Sequence, residues 1–568
     1  MMRRPLLLFI LTFAIYLFIA VVILAPDGIW SPDEGLKLWQ LRSLRWENGR
    51  FAYDLLYAGR DIDPDFHFLA PTTEVRLFTE RDNQLFLQRL PSFSLLVWPF
   101  YALFGLVGIY IVPALAGAAS TVLPLLFLPT SERRWPMWGI IAFGSPVFIY
   151  STLYWEHTAA VALALAGAFV AYRLFNMQQS GSAGHQLWGW LGAISLFALA
   201  TFIRLETIIF AAGWLTAVWL LSSQHARRWL FFVGVGLVLL FLLQGPLLSL
   251  FFENRYLPDN AWDIFRPGHY LQYAGITAVR DLLIGPTESR AVDSGSLGWI
   301  WAISSLLAVL FAFLPAAPWQ KWGVTLSLAV TTVVALNFLL TGEPYRSAHG
   351  LLFTTPWLVV TAVRWAEMRR TNPPESIRLI ALASFLGLLI YAIAVVGVRS
   401  NSPQGGLEWG TRLAMASFPL LGLLIFYRFK IDYENWTHLF SLLLLILGVL
   451  FQLRGYIAIY ADKQRVQAMN TAINSATREP VVVDQLWGIY RTAPVHNPKQ
   501  VLILTEPGRA FRLIEQLQQN GIERFSLTTR NPQLLSDMNK ELTQHRLTAV
   551  QQKQIGELAV YELSIETR

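Results

Sequence analysis

An acidic tetrapeptide near the start of the chain, Ser31-Pro32-Asp33-Glu34, follows directly on a long apolar run. A carboxylate held at a membrane surface can act as a general base, because it can take the proton of an acceptor hydroxyl as that oxygen attacks. Ser31 at N-cap, Pro32 at N1 and Glu34 at N3 also form a capping box, which predicts a helix that begins at Pro32. Lys37 lies one turn beyond Asp33 and is predicted to pair with it and keep it ionised. The two roles, cap and base, are compatible, since a cap would fix Asp33 on a rigid element.

Further ionisable residues lie where other apolar segments end. Glu156, followed by His157, could assist Asp33 or bind a divalent ion, or it could belong to an ordinary loop at a helix end. No histidine pair has a zinc-ligand spacing, so a divalent cation stays open and the metal is unknown. Arg204 lies between two apolar runs, where ionisable residues are costly and often functional. It could bind a lipid phosphate through a bidentate contact, or it could pair with Glu206.

Two loops that contain glycine carry an arginine just before the next apolar run. The first holds Arg346 and His349 beside Gly350, and the second holds Arg412 after Gly406. Glycine lets a backbone approach a ligand closely, and arginine binds phosphate. Loops on the outer side of a membrane usually avoid arginine. We therefore expect these residues to bind an anion rather than to orient the helices.

The elements that must position these residues are membrane helices. Hydrophobic residues make up 54% of the chain and the mean hydropathy is +0.44. Several apolar runs reach the roughly 20 residues that cross a bilayer. Backbone groups in lipid must be satisfied within each span, so the sequence predicts an all-α polytopic membrane bundle. The chain has no cysteine, which excludes disulfides and Cys-ligated metals.

Basic residues set the predicted topology. Much of the net charge of +7 lies in short loops beside apolar runs, among them Arg364–Arg370 and Arg428–Lys430. Such charge orients helices in a membrane, so we reject nucleic acid as a partner and place these clusters in the cytoplasm. If the apolar segment Pro91–Gly105 were a separate span, the next basic cluster would lie on the outer side of the membrane. The segment is therefore predicted to be an interfacial or re-entrant helix. The result is an uncleaved N-terminal anchor, an outer C-terminus and about 13 transmembrane helices, at about 6–25, 109–129, 137–153, 158–175, 187–203, 207–222, 229–250, 297–316, 323–341, 350–364, 377–397, 413–429 and 437–456.

The chain is predicted to have two domains. Residues 1–456 form the transmembrane domain, with 26–90 as its first outer loop. Residues 457–568 alternate strand patterns with helix patterns, which predicts a small C-terminal α/β domain outside the cytoplasm. This part has no glycine-rich phosphate loop. Its predicted strands are 481–483, 501–504 and 525–528, and its predicted helices are 511–519 and 532–541.

At these residues the chain resembles the C-type (GT-C) integral-membrane glycosyltransferases that use polyprenyl-phosphate-linked sugars, the group containing protein O-mannosyltransferases and aminoarabinose transferases. Four motifs are similar to those of the group: the acidic motif of the first outer loop, the stretch that closes this loop, the span leading to a second outer carboxylate, and a Gly-Arg loop. In this chain they are Ser31–Gly35, Leu90–Gly105, Ser145-Pro146 with Glu156, and Gly406–Arg412. The chain departs from bacterial relatives at Arg89-Leu90-Pro91, where they often carry Tyr-Pro-Pro.

The resemblance implies roles for individual residues. Asp33 would be the catalytic base, Glu34 a helper or the helix cap, and Glu156 the second carboxylate. A sugar on a polyprenyl phosphate already has a good leaving group. The enzyme must therefore deprotonate the acceptor, position both substrates and stabilise the charge that builds on the phosphate. We expect an inverting glycosyltransferase that moves a monosaccharide from this donor to a glycan, lipid or protein acceptor on the outer face of a bacterial cytoplasmic membrane.

Five residues are expected to bind the lipid phosphate or the substrate, namely Lys37, Arg204, Arg346, His349 and Arg412. Two alternatives come from other functional classes. A lipid or polysaccharide transporter or flippase would place charged residues through the middle of several spans, whereas here they gather at one face. A non-catalytic membrane scaffold would leave the acidic first loop unexplained.

Overall fold

The computed structural model describes most of the chain. The described residues are 3–24, 26–69, 78–81, 84–87, 91–128, 134–179, 186–222, 234–236, 238–239, 250, 282–284, 295–341, 350–398, 412–427, 435–484, 491–492, 499–504 and 506–567. Numbered along the chain, the helices are α1 (Arg3–Phe18), α2 (Pro32–Ser43), α3 (Ser92–Phe104), α4 (Ile111–Val122), α5 (Arg134–Phe143), α6 (Val147–Ser151), α7 (His157–Gln179), α8 (Gln186–Ile203), α9 (Thr207–Leu221), α10 (Gly295–Phe313), α11 (Pro318–Thr341), α12 (Leu351–Thr354), α13 (Leu358–Arg369), α14 (Glu375–Val398), α15 (Phe418–Phe426), α16 (Trp436–Ser475), α17 (Ala510–Gln519) and α18 (Leu534–Glu541). The strands are β1 (Arg45–Glu47), β2 (Arg50–Ala52), β3 (Phe78–Arg81), β4 (Gln84–Leu87), β5 (Val481–Val483), β6 (Val501–Ile503), β7 (Arg524–Thr529), β8 (His545–Ile555) and β9 (Leu558–Thr567).

The chain divides into two compact units. The first consists of Met1–Ala20, Gly108–Leu247 and Asp259–Ile459, and the second of Val21–Val107, Leu248–Pro258 and Tyr460–Arg568. The second unit thus combines the whole of the predicted first outer loop, 26–90, with the C-terminal region. The predicted boundary at residue 456 lies close to Tyr460, and the assignment of the two parts to separate domains stays a prediction.

Several helices in the described part of the chain have the length and composition of membrane-spanning helices. Seven helices are long and apolar enough to cross a bilayer, and the shorter α8, α9 and α15 are also apolar. The chain is therefore a multi-pass membrane protein. The long candidates are Arg4–Ile23, Ser92–Leu126, His157–Met177, Ser296–Phe313, Pro318–Thr341, Glu375–Ile393 and Trp436–Ser475. The predicted span 229–250 lies largely outside the described residues.

One predicted span is interrupted at a proline. The segment predicted as the span 137–153 consists of α5 and α6, and Pro146 lies between them. Proline cannot donate to the preceding turn, so the Ala142 carbonyl four residues earlier loses its helical partner and instead accepts from the Tyr16 hydroxyl at 2.7 Å. The break between α5 and α6 also exposes the Gly144 carbonyl. In this bundle the indole Nε1 of Trp357 donates to the Gly144 carbonyl at 2.5 Å. A side chain from another helix region thereby satisfies the freed backbone group, as burial in a membrane requires.

A second predicted span is also broken at a proline. The segment predicted as the span 350–364 is divided into α12 and α13, with Pro356 between them. The Gln452 amide donates to the Thr354 carbonyl at 2.5 Å. A third predicted span, 413–429, is a 3₁₀ helix followed by the short α15. Sequence periodicity did not predict these breaks, because apolar composition is the same in whole and in broken spans.

The C-terminal part of the second unit contains a five-stranded mixed sheet. Its strand order is β6-β5-β7-β9-β8, with β5 parallel to β6 and β7, and with β9 antiparallel to β7 and β8. The helices α17 and α18 lie before and after β7 along the chain. The three predicted strands and both predicted helices are present. The long β8–β9 hairpin was not predicted.

Part of the segment predicted as the first outer loop is attached to the edge of this sheet. The Ile503 amide in edge strand β6 donates to the Phe68 carbonyl at 2.8 Å, and the Arg509 guanidinium lies 5.4 Å from the centre of the Phe68 ring. The loop turns around Asp63, which is buried and accepts from the amides of His67 and Phe68, each at 2.7 Å. Burial outweighs these hydrogen bonds and raises the pKa of the Asp63 carboxyl.

Candidate functional site

The predicted capping box at the start of α2 is present. The Ser31 hydroxyl accepts from the Glu34 amide at 3.2 Å, and Glu34 Oε2 accepts from the Ser31 amide at 3.1 Å. The same oxygen also accepts from the Trp30 amide at 2.8 Å. Glu34 is fully buried, whereas Asp33 is half-buried. The capping box therefore engages Glu34 and leaves Asp33 as the more accessible carboxylate of the pair.

Lys37 lies one helical turn beyond Asp33 on α2 and is buried. Its pairing with Asp33 stays a prediction. The burial of a lysine on this helix is consistent with a role in the site, because a buried ammonium must be compensated by nearby negative or polar groups.

The loop that enters α2 is held by the C-terminal turns of α16. The Gln467 amide donates to both carboxylate oxygens of Asp27, at 3.2 and 3.0 Å, and the Asn470 amide donates to the Asp27 carbonyl at 2.7 Å. Gly28 packs directly on the backbone of Lys463, where an added Cβ would lie 2.8 Å from the Lys463 carbonyl oxygen. These contacts fix the chain a few residues before Asp33.

Glu156 belongs to a buried ion triad in the first unit. The Arg204 guanidinium donates through Nη1 to Glu156, and through Nε and Nη2 to Glu206, with Nε 2.9 Å from Glu206 Oε2. The exposed fractions of the side chains are 8% for Arg204, 4% for Glu156 and 19% for Glu206. The sequence left open whether Arg204 binds phosphate or pairs with Glu206. The pair is present, and Glu156 joins it, so Arg204 holds a carboxylate in a fixed position at the start of α7.

Residues with aromatic rings lie close to Glu156 along the chain. The Arg412 guanidinium lies 4.8 Å from the centre of the Trp155 ring, and Arg412 is itself buried. The His157 ring stacks on Tyr150 with centroids 5.0 Å apart, and lies 4.9 Å from Trp155. These residues form a buried cluster of aromatic rings and one guanidinium on both sides of Glu156 in the sequence.

The structure brings some predicted site residues together. Glu156 and Arg204 are paired, and Arg412 lies against the neighbour of Glu156, all within the first unit. Asp33, Glu34 and Lys37 share α2 in the second unit. Arg346 and His349 lie outside the described residues. Within the described ranges no group of three or more His, Asp or Glu residues could hold a metal ion.

The sequence did not lead us to predict two sets of residues around the site. Trp155, beneath Arg412, is one of many tryptophans, and nothing in its local pattern marks it. The contacts from α16 had a signal, because Lys463, Gln467 and Asn470 recur at a spacing of one helical turn and so share one face.

The fold of this chain is similar to that of a solved membrane protein. The crystal structure of ArnT from Cupriavidus metallidurans bound to undecaprenyl phosphate shares this fold with a TM-score of 0.50 and 13% sequence identity, over 98% of this chain and 97% of that one. The apo structure of the same ArnT gives a TM-score of 0.44 at 13% identity and the same coverage. No protein-family model and no curated protein sequence matches the chain.

Proposed function

We propose that the protein is a glycosyltransferase that moves a monosaccharide from a polyprenyl-phosphate donor to a cell-envelope acceptor. The observation that carries this proposal is the accessible Asp33, set beside a buried, capping Glu34, in a chain with the fold of ArnT. The ArnT structure was solved with undecaprenyl phosphate, which supports a carrier of this class here. In the reaction the acceptor oxygen bonds to the anomeric carbon, the bond from that carbon to the phosphate oxygen breaks, and the acceptor proton passes to Asp33.

Asp33 is proposed as the base and Glu34 as the cap that fixes it. A general base must reach the acceptor hydroxyl, so it needs accessibility as well as a fixed position. Asp33 has both, because α2 starts from a complete capping box. Glu34 is occupied by two backbone amides and is buried. This assignment chooses the second of the two roles that the resemblance implied for Glu34.

The remaining proposed site residues act on the substrates. Glu156 is proposed as the second carboxylate, with Arg204 as the residue that positions it. Arg412 is proposed as a phosphate ligand, because its guanidinium is held against Trp155 and so presents its donors in a fixed direction. The phosphate-binding roles of Arg346 and His349 rest on the sequence alone.

We also propose the cellular arrangement that the sequence predicted. The protein would lie in the cytoplasmic membrane of a bacterium, cross it about 13 times and carry the site and the C-terminal domain outside. The positions of the basic clusters support this orientation.

Native mass spectrometry of the purified protein tests the substrate class. We expect a bound polyprenyl phosphate or its glycosylated form, and its mass would indicate the sugar. If only bulk phospholipid is found, even after undecaprenyl phosphate is added, the proposed donor class is wrong.

Native mass spectrometry together with an assay of sugar transfer from the glycosylated carrier tests the base. In Asp33→Asn the carrier should stay bound and should keep its sugar. The rate of sugar transfer should fall at least about 100-fold, because a general base contributes that much or more. Asp65→Asn is the matched control, since Asp65 lies in the same loop and its side chain is 73% exposed. An Asp33→Asn variant that transfers sugar at the wild-type rate would overturn the assignment.

A further inference from the structure

A cavity lies in the first unit, apart from the residues assigned to transfer. Its volume is about 820 Å³, within the range of small-molecule sites. It lies where α11 and α16 begin and where α10 and α13 end, and its lining includes Gln320, Lys321, Trp322, Arg370 and Trp436. The nearby cluster Arg364–Arg370 places this end of the bundle on the predicted cytoplasmic side.

The charge around this cavity favours an anion. Lys321 and Arg370 line it, and both are exposed. The carboxylate that lines it, Glu367, is paired with the Arg364 guanidinium. Two helices of more than 20 residues start at its wall, and the N-terminal end of a helix carries a partial positive charge. The C-terminal ends of α10 and α13, which carry a partial negative charge, lie there too, and the Arg370 guanidinium donates to the carbonyls of Ala312 and Leu314. The positive charge offered to a ligand therefore rests mainly on the Lys321 ammonium.

A buried polar side chain also lines the cavity. Gln320 is only 5% exposed and lines the cavity. Its side-chain amide can both donate and accept hydrogen bonds. A ligand that accepts or donates a hydrogen bond in this cavity therefore has a partner in this amide.

Exposed tryptophans at the mouth indicate the depth of the cavity in the membrane. Trp322 is 71% exposed and Trp436 is 61% exposed, and both line the cavity. Trp319, on the first turn of α11, is 55% exposed. Tryptophan rings concentrate at the level of lipid headgroups. The cavity thus opens where the phosphate groups of a lipid leaflet lie.

We infer that this cavity binds the headgroup of an anionic phospholipid. The phosphate lies near the Lys321 ammonium and the start of α11, the Gln320 amide hydrogen-bonds to the headgroup, and the acyl chains pass between Trp322 and Trp436 into the membrane. Basic pockets between membrane helices bind anionic headgroups in this way. The site is separate from the proposed chemistry of transfer and does not depend on it.

Competition between two lipids tests the inference. Purified protein is incubated with equal amounts of phosphatidylglycerol and phosphatidylcholine, and the retained lipids are counted by native mass spectrometry. We expect preferential retention of phosphatidylglycerol. Lys321→Glu should lower that preference about fivefold or more, since each basic residue near a membrane surface contributes about 1 kcal/mol. Arg173→Glu is the matched control, because Arg173 is an exposed basic residue on α7 in the same unit.

Two further arms complete the test. Gln320→Leu should also lower the retention of phosphatidylglycerol, and it changes no charge. Millimolar inorganic phosphate should leave the lipid in place. The inference is overturned if wild type retains both lipids equally, if Arg173→Glu matches Lys321→Glu, or if free phosphate displaces the lipid. Each readout is lipid binding, so it stands whether or not sugar transfer is confirmed.

Discussion

The buried triad of Arg204, Glu156 and Glu206 gives a sharp quantitative test. Arg204→Met keeps much of the side-chain volume but removes the cation, which leaves two carboxylates with exposed fractions of 4% and 19%. Removing one partner of a buried ion pair costs about 3–5 kcal/mol, because the remaining charge is uncompensated. Here two carboxylates lose the cation that they share, so we expect a loss at the upper end of that range.

Removing the charge of one carboxylate should destabilise the protein less than removing the arginine. Glu156→Gln leaves Arg204 paired one-to-one with Glu206, and the amide oxygen can still accept a hydrogen bond. The expected cost is about 1–2 kcal/mol, the size of a single hydrogen bond to a charged group. Combining Glu156→Gln with Arg204→Met should recover part of the Arg204→Met loss, because one buried charge fewer is left. The two changes are therefore expected to be non-additive by about 1–3 kcal/mol.

The free energy of unfolding of the four proteins, wild type included, would be compared by denaturant titration in one detergent. Arg173→Met serves as the control for removing an exposed arginine, and it should change the free energy by less than about 0.5 kcal/mol. The reasoning fails if Arg204→Met costs no more than this control. It also fails if the double variant shows the simple sum of the two single losses, since the side chains would then not share one electrostatic group.

Three other changes test features of the second unit. Gly28→Ala should destabilise it by about 1–3 kcal/mol in denaturant titration, because the new Cβ would meet the Lys463 carbonyl oxygen at 2.8 Å; a neutral effect would mean that the loop before α2 is not held there. Ser31→Ala should cost about 1 kcal/mol through the lost cap, and Ser31→Asp should restore most of it; equal losses would refute the cap. The hydrogen bond from Arg478, with that from Thr477, lowers the pKa of the Glu562 carboxyl. The ionised carboxylate therefore stabilises the folded protein above the pKa of the unfolded state, and this stabilisation disappears as the pH falls through the pKa of the folded state. Glu562→Gln should therefore lower the melting temperature at neutral pH but not in acid, and a difference that is constant with pH would contradict this.

The membrane class and most helix positions were predictable because an apolar run of span length is rarely anything but a membrane helix. The capping box at Ser31 was predictable for another reason. Its residue types act over three positions and need no tertiary partner. The C-terminal strands and helices were visible in the same local way.

Features that depend on distant contacts were not predictable. The break at Pro146 needs the indole of Trp357 to accommodate it, and that partner is far away in sequence. Likewise, only the fold shows that Glu156 joins Arg204, since 48 positions separate them. The β1–β2 hairpin was missed although Asn48-Gly49, both with positive φ, is a strong local signal for a tight turn.

The two edges of the C-terminal sheet bear on how the protein avoids aggregation. An unpaired edge strand can template pairing with another copy of the chain. On one edge, β6 gives its Ile503 amide to the carbonyl of Phe68, so part of that edge is already covered. On the other edge, β8 is irregular between Ala549 and Gln551 and continues with exposed Gln and Lys side chains. One edge of the sheet is thus partly covered, and the other is irregular and polar, so neither edge readily pairs with a strand from a second copy of the chain. This would help copies of the protein to stay separate at high density in a membrane.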